Sequence, residues 1–553
     1  MLTTLLIVAA LTLAFQTQRG YGLSNSPSKL SGSSLLDLEQ KVVELVNGSR
    51  AYDYDLELEN IAYRHPDFRS AGSLGANETA TWIKEQFLDI GLEAWLEPFE
   101  FTNWTLLSKP SLAIDEDGNQ TTTGDQEIIG SFQCEHYSWF TPSEGVFADL
   151  VVLPLPTAAN HTEIGKNPID QVAWDAIDTT GKILLIGREV RMFSGWATTF
   201  VNKIQAQPPA AIVYTWWYSW MSFTPPFFSS AGGVPMGGGY YWNLQIPVGS
   251  INYKDGLWIR NTESTSPTVA ANVTIRSLIG NGTHYNVVGR ITGLQNPEKI
   301  VIISSHYDTV MCSGFCDNGA GTAGLLELAG VFVEAAEREF YKPSYTLLFV
   351  AFTGEEQWLV GSANYVKQHK SDMANITAVI NLDCIGSNDL CVSETPGSDL
   401  AQTVVQAAGD LGVSTTMEQP GGSDHESFRS PSGVNDMILM NWGVNLGISD
   451  ATQVASSTML SSYPLFYSDM WYRGEAGWIH TAYDNSTSTV ILKWVETADL
   501  EDHIKVAALT IMRLSPNLIP EFPPNIALAL FMTITLFVYV LVRKKFHQPK
   551  LQI

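Results

Sequence analysis

The sequence predicts an α/β fold: a mostly parallel central sheet flanked by helices, with an inserted β-rich α+β unit and a C-terminal transmembrane helix. Three patterns predict it. After residue 284, short apolar runs alternate with stretches of helical period, as in buried parallel strands joined by covering helices. From about 126 to 278 the chain instead shows short apolar strands separated by turn residues. At 526–542 it carries an unbroken run of apolar and hydroxyl residues.

The first stretch, MLTTLLIVAALTLAF, has an apolar run of about eleven residues, the length of a secretion signal and too short to span a bilayer. A signal peptide is expected over 1–22, with cleavage after Ala14 or Gly22. Residues 36–125 then mix helix and strand. Thr79–Ile90 has helical spacing and stops at Gly91, and Ala94–Phe101 alternates as a strand. The insert, 126–278, offers strands at Val146–Pro154, Lys182–Gly187, Ala210–Thr215 and Gln245–Ile251, and one periodic helix near Ala197–Gln207. Tyr214–Trp242 is crowded with aromatic residues, suited to a substrate pocket, a lid or packing between units.

Residues 279–515 complete the larger unit. Strands are expected at Lys299–Ser305, Tyr345–Thr353, Thr377–Leu382 and Val434–Met440. Helices are expected at Ala320–Ala336, Glu356–His369, Leu400–Leu411 and Asp499–Leu514. A stalk, 516–525, holds Pro520, Pro523 and Pro524. Seventeen helical residues, Ile526–Val542, rise about 25 Å, enough to cross a membrane. Arg543, Lys544 and Lys545 then place the tail, 543–553, in the cytoplasm and the bulk of the chain at the outer cell surface. The tail resembles the Pro-Glu-Phe anchoring tails of archaeal surface proteins.

Nine Asn-x-Ser/Thr sequons, at Asn47, Asn77, Asn103, Asn119, Asn160, Asn272, Asn281, Asn375 and Asn485, all lie on that outer side. The five cysteines pair locally as Cys312–Cys316 and Cys384–Cys391, leaving Cys134 over. A net charge of −26 argues against a nucleic-acid partner. With 45% hydrophobic and 16% charged residues, the composition is globular and rules out disorder or coiled coil for most of the chain.

The chemistry-bearing residues fall at strand ends. His306-Tyr307-Asp308 follows KIVIISS, Asp317 sits in DNGAG before a helix, Glu355-Glu356 ends YTLLFVAFT, Asp383 ends TAVINL, and His480 opens HTAYD. Ligands of parallel sheets bind beyond the carboxyl ends of the strands. Two histidines and three carboxylates there suit two Zn²⁺: three carboxylates and a hydroxide balance four positive charges. Glu355, beside a ligand in sequence, is the candidate general base, and Asp308 the candidate to orient His306. Gly-x-Ser-x-Gly and His-Glu-x-x-His are absent, and adjacent Ser423, Asp424 and His425 cannot easily form a triad.

These residues resemble the co-catalytic zinc exopeptidase family that includes aminopeptidase Y, glutamate carboxypeptidase II and the transferrin receptor, from about Ala71 to 514. The resemblance implies that His306 and Asp383 bind one zinc, Glu356 and His480 the other, that Asp317 bridges them, and that Glu355 is the base. It extends to Ser423-Asp424-His425 and Phe428. The insert resembles a protease-associated domain in GKILLIGR, AAIVYT and IPVGSI. The implied partners are peptides, with an aminopeptidase first, and a homodimer is left open. A carboxypeptidase or dipeptidase would need cations such as Arg429 or Arg473 for a free carboxylate. A metal-free receptor and a one-zinc cyclase are the remaining alternatives.

Overall fold

The computed structural model describes residues 36–116, 126–153, 171–187, 200, 202–215, 245–265, 269–393, 399–417, 422–463, 479–480, 484–487 and 495–515. The expected signal peptide, stalk, membrane helix and tail lie outside these residues. So do Asn119, Asn160, Arg473 and nearly all of the aromatic stretch. Among the described residues, the helical stretch Phe315–Glu337 is long and apolar enough to cross a membrane, but most of it is buried inside the molecule.

The larger sheet has eight strands in the order Glu93–Leu106, Ser277–Ile291, Tyr345–Phe352, Asn296–His306, Ile376–Leu382, Ser457–Tyr463, Asp389–Ser393, Thr415–Met417. Its four middle strands, from Tyr345–Phe352 to Ser457–Tyr463, are mutually parallel. The two strands before them pair antiparallel, and Asp389–Ser393 runs antiparallel to Ser457–Tyr463.

The middle strands are apolar on both faces because both faces are covered. Val301 and Ile303 point into a core shared with Ile83 and Phe87, with Leu325 and Phe332, and with Ile504 and Ile511. Ile302, between them, points the other way, into a core with Val360, Phe428 and Ile438. Alternate residues of a strand face opposite sides, so helices Leu74–Ile90, Gly321–Glu337 and Thr497–Leu514 lie on one side and Val360–Gln368 on the other. Helix Leu74–Ile90 begins where the Ser73 hydroxyl accepts the Ala76 N–H at 3.0 Å, and ends at Gly91 with φ of 107°.

Two expectations are corrected here. Val434–Met440 is not a strand but the middle of helix Pro431–Trp442. Proline fits a first helical turn, and Val434, Ile438 and Trp442 recur every four residues to form its buried side. Cys312–Cys316 and Cys384–Cys391 are not disulfide-bonded. Instead the thiols of Cys316 and Cys384 share a hydrogen bond, because the fold brings together the loops that carry them.

A second sheet of eight strands runs in the order Gln126–Ile128, Ser111–Asp115, Ala270–Thr274, Val146–Val152, Ile183–Gly187, Ala211–Thr215, Val248–Ser250, Gln133–Cys134. Ser111–Asp115 pairs with Ala270–Thr274, so this sheet begins ahead of the boundary expected at 126. Residues of both sheets share one apolar core. Within it, Trp442 meets Phe101 and Tyr137 with ring centroids 5.0 Å apart in each case.

His136 and His284 are buried in this shared core. Burial, with the nearby charge of His284, lowers His136 to about 3, and burial lowers His284 to about 4. The unfolded chain therefore binds protons that the folded chain refuses, and stability falls as pH drops below about 6.5. Urea unfolding of His136→Gln between pH 6.5 and 4 should show a shallower decline than the unmodified chain, by at most about 1.4 kcal/mol per pH unit. Equal slopes would contradict this account.

Candidate metal centre

The three central strand ends deliver the candidates side by side. His306 is the last residue of its strand and lies opposite Phe352, the last residue before the turn to Glu355 and Glu356. Ser304 lies opposite Asn381, two residues before Asp383. Parallel strands in register end at one edge, so acids placed just beyond each end converge. Asp317 reaches the same edge from the loop between His306 and helix Gly321–Glu337, at a cis peptide to Asn318. His480 arrives from beyond the fourth parallel strand, with φ of 58°.

Two groups of three ligand atoms result. His306 Nε2 lies 3.3 Å from Asp317 Oδ1 and 3.5 Å from Asp383 Oδ1. His480 Nε2 lies 3.0 Å from Asp317 Oδ2 and 3.0 Å from Glu356 Oε1. In each group all three atoms lie within 4.8 Å of one another. Ligands about 2.0–2.2 Å from a tetrahedral zinc sit roughly 3.3–3.5 Å apart, so both groups are close to that size. His306 Nε2, Glu356 Oε1 and Asp383 Oδ1 are buried without a hydrogen-bond partner. Buried polar atoms are rarely left so, and a cation in each group would satisfy them, one at His306 Nε2 and Asp383 Oδ1 and the other at Glu356 Oε1. The donor set of imidazole and carboxylate suits zinc.

The electrostatics point the same way. Burial alone would lower His306, yet the carboxylates of Asp383 and Glu355 hold it well above its ordinary value. Glu356 and Asp317 do the same for His480. Burial would raise Asp317, and the two imidazoles hold it below the carboxylate range instead. Burial pushes Glu356 up to about 7 and Glu355 well above its ordinary value. So much buried negative charge draws positive charge, and without a metal the imidazoles must supply it.

Asp308 lies beside His306, though not as simply as expected. The His306 Nδ1 partner at hydrogen-bond distance is the Asp308 backbone carbonyl, 3.2 Å away. The Asp308 carboxylate is 3.6 Å from Nδ1 and accepts the Glu355 N–H at 3.3 Å. Glu355 is partly buried and lines a cavity of about 450 Å³ with Glu356, Trp358, Leu359, Glu426 and Met437. Trp358 and Leu359 both have left-handed backbones, with φ of 71° and 62°. Such strain in large residues is concentrated at functional sites.

Further residues surround the centre, of which Asp424 falls in Ser423-Asp424-His425, where the resemblance to the exopeptidases already extended. Asn318 accepts the N–H of Cys384 and of Gly321 and donates to the Leu382 carbonyl, tying the Asp317 loop to the Asp383 strand end. Asp424 is fully buried, close enough to Glu355 to raise its proton affinity. Arg69 and Asp484 hold the Asp317 loop from outside. Only the position of Asp484, four residues after His480, marked it in sequence.

Known proteins resemble this chain in sequence or in fold. Residues 286–491 match the family described as peptidase family M28. A probable zinc metalloprotease of Pyrenophora teres f. teres is 34% identical over 111 residues, 18% of this chain and 23% of the relative. A probable leucine aminopeptidase 2 of Aspergillus fumigatus is 25% identical over 365 residues, 66% of this chain and 63% of the relative. The chain thus spans less than two thirds of the length of these curated relatives. The solved structure of a zinc aminopeptidase from Bacillus subtilis shares the fold, with a TM-score of 0.57 and 20% identity over 85% of this chain and 95% of that one. The segment that supplies His306, Asp317, Glu356, Asp383 and His480 thus lies within the residues, 286–491, that match the peptidase family M28 model.

Proposed function

We propose that this chain is a two-zinc aminopeptidase, secreted and held at the outer cell surface by its C-terminal helix. One observation carries the catalytic part: Asp317 offers one carboxylate oxygen to each of two three-atom ligand groups. His306 and Asp383 would hold one zinc, Glu356 and His480 the other, with Asp317 shared. When bound, such a metal pair supplies Lewis acidity toward a peptide carbonyl and a lowered pKa for water.

The protein's own groups do the rest. Glu355 sits at the cavity wall next to the ligands, where it takes a proton from the attacking water and returns it to the departing amine. Its raised proton affinity in the metal-free site falls once two divalent cations stand nearby. Asp308 fixes the Glu355 backbone through its carboxylate and the His306 ring through its carbonyl. The cavity is walled by Trp358, Leu359, Val434 and Met437, and three acids, Glu355, Glu356 and Glu426, line it. Among the described residues lining it there is no Lys or Arg. That combination suits an apolar side chain on a residue with a protonated α-amine.

The carboxypeptidase reading is less favoured. Arg429, its candidate cation, already pairs through two nitrogens with the Glu426 carboxylate. The outward location rests on the sequence signals at both ends and on the sequons, of which Asn47, Asn281 and Asn375 are exposed. The second sheet supports the likeness of the insert to a protease-associated domain.

Three outcomes test the reading. Chelator-treated protein should lose activity on aminoacyl anilides and regain it at two equivalents of zinc per chain. Recovery complete at one equivalent would refute the paired centre. Glu355→Gln should keep its zinc and lose about 10²–10⁴-fold in kcat, and near-normal turnover would remove Glu355 from the mechanism. Trp358→Ala should lower kcat/KM about tenfold for leucyl and methionyl anilides, with little change for alanyl anilide. A uniform loss across the three would show that this cavity does not receive the side chain.

A further inference from the structure

We propose that Asp484 is a positioning residue for Asp317, the side chain shared by the two ligand groups. The inference rests on the two-metal reading above and concerns what holds that centre in shape. Asp484 is buried, with only 1% of its surface exposed. One carboxylate oxygen accepts the Cys316 N–H at 2.7 Å, and the other accepts the Asp317 N–H at 3.2 Å. Both oxygens are thus directed to backbone donors of the loop, as suits a brace and not a ligand. The Asp484 carbonyl also accepts the Ser313 hydroxyl at 2.5 Å. One residue therefore grips the loop at 313, 316 and 317.

The loop is gripped from its other side as well. Arg69 is fully buried and donates to the carbonyls of Tyr307, Ser313 and Gly314, at 2.9, 2.7 and 3.0 Å. Gly314 bends back with φ of 62°, and its carbonyl also accepts the Gly319 N–H at 2.8 Å. Gly319 has no side chain where Asp55 Oδ1 approaches: a Cβ there would lie 2.1 Å from that oxygen. The segment from His306 to Asp317 is thus held near its start at Tyr307 and through its last five residues at Ser313, Gly314, Cys316 and Asp317.

A shared carboxylate needs that fixation more than a terminal ligand does. Asp317 must aim Oδ1 at one group and Oδ2 at the other, so a rotation that improves one contact spoils its opposite. Tolerances at such centres are about 0.5 Å. Asp484 lies four residues beyond His480 in the chain, so the segment that delivers a ligand of the second group also steadies the ligand common to both. Outer partners of metal ligands typically carry about 10–100-fold in affinity.

The test uses the full chain, its zinc content, competition with a chromophoric zinc chelator, and melting without zinc. Asp484→Asn removes one of the two carboxylate acceptors. It should weaken zinc binding about 10–100-fold while the zinc-free melting temperature stays within a few degrees. Ser313→Ala, which touches no ligand, should weaken zinc about threefold or more, and it decides the matter if Asp484→Asn does not fold. Zinc affinity unchanged in the folded variants would overturn the proposal. So would a loss of zinc matched by an equal loss of zinc-free stability, which would make Asp484 a general structural residue. A parent chain that binds two zinc ions while the variants bind as well sinks only this proposal. A parent chain that binds none sinks the metal-centre reading and this proposal together.

Discussion

One carboxylate facing two ways is the constraint around which the centre is built. Asp317 places an oxygen 3.3 Å from one imidazole and the other 3.0 Å from a second. Neither imidazole could move to suit it without leaving its own carboxylate partner, Asp383 or Glu356. The site also gathers Asp308, Glu355 and Asp424 within a largely buried volume. Concentrated negative charge out of water is costly unless balanced. Packing on both faces of the sheet holds Asp317, Asp383 and Glu356 buried in spite of that cost, while Glu355 keeps its access to the cavity.

The layered fold supplies the remaining precision. Parallel strands in register bring His306, the turn at Glu355 and Asp383 to one edge by geometry alone, before any side chain chooses a partner. Helix Gly321–Glu337 then anchors the end of the Asp317 loop in the core through Leu325, Leu328 and Phe332. Its one buried acid, Glu327, is met by Arg50 at 2.6 and 2.7 Å and by the Asn47 N–H at 2.7 Å. The helix behind the centre is thereby tied to the start of helix Gly48–Tyr63.

Much of this was legible in sequence, and the reasons are physical. Three of the four central parallel strands read clearly because burial on two faces makes them largely apolar, whereas Ser457–Tyr463 was missed because its buried Ser457, Thr458, Ser461 and Ser462 break the apolar run. The five ligand candidates stood out because acids and histidines at the ends of such strands have no packing role. Helix Pro431–Trp442 was misread because a short apolar run looks alike in both structures, although Pro431 was the better guide. The strand Ser277–Ile291 was missed because Gly280, Asn281, Gly282 and Thr283 interrupt its apolar pattern. The contact of Cys316 with Cys384 joins loops far apart in the chain, and the sequence offered only near neighbours. Arg69 was silent, and Asp484 was marked only by closing HTAYD, because their partners are mostly backbone groups, which no residue pattern records.

The long paired ribbon of Glu93–Leu106 and Ser277–Ile291 has a consequence for how the molecule is assembled. Leu106 and Ser277 are direct register partners, so everything between them leaves and returns at one point. By connectivity the intervening unit is a cassette, and a tight turn could close the ribbon in its place. By burial it is not, because Trp104 and Trp442 would lose the cover of Tyr137. The two lobes are separable on paper and interdependent in water, so any lineage that discarded the cassette would have had to repaint the exposed flank with polar side chains.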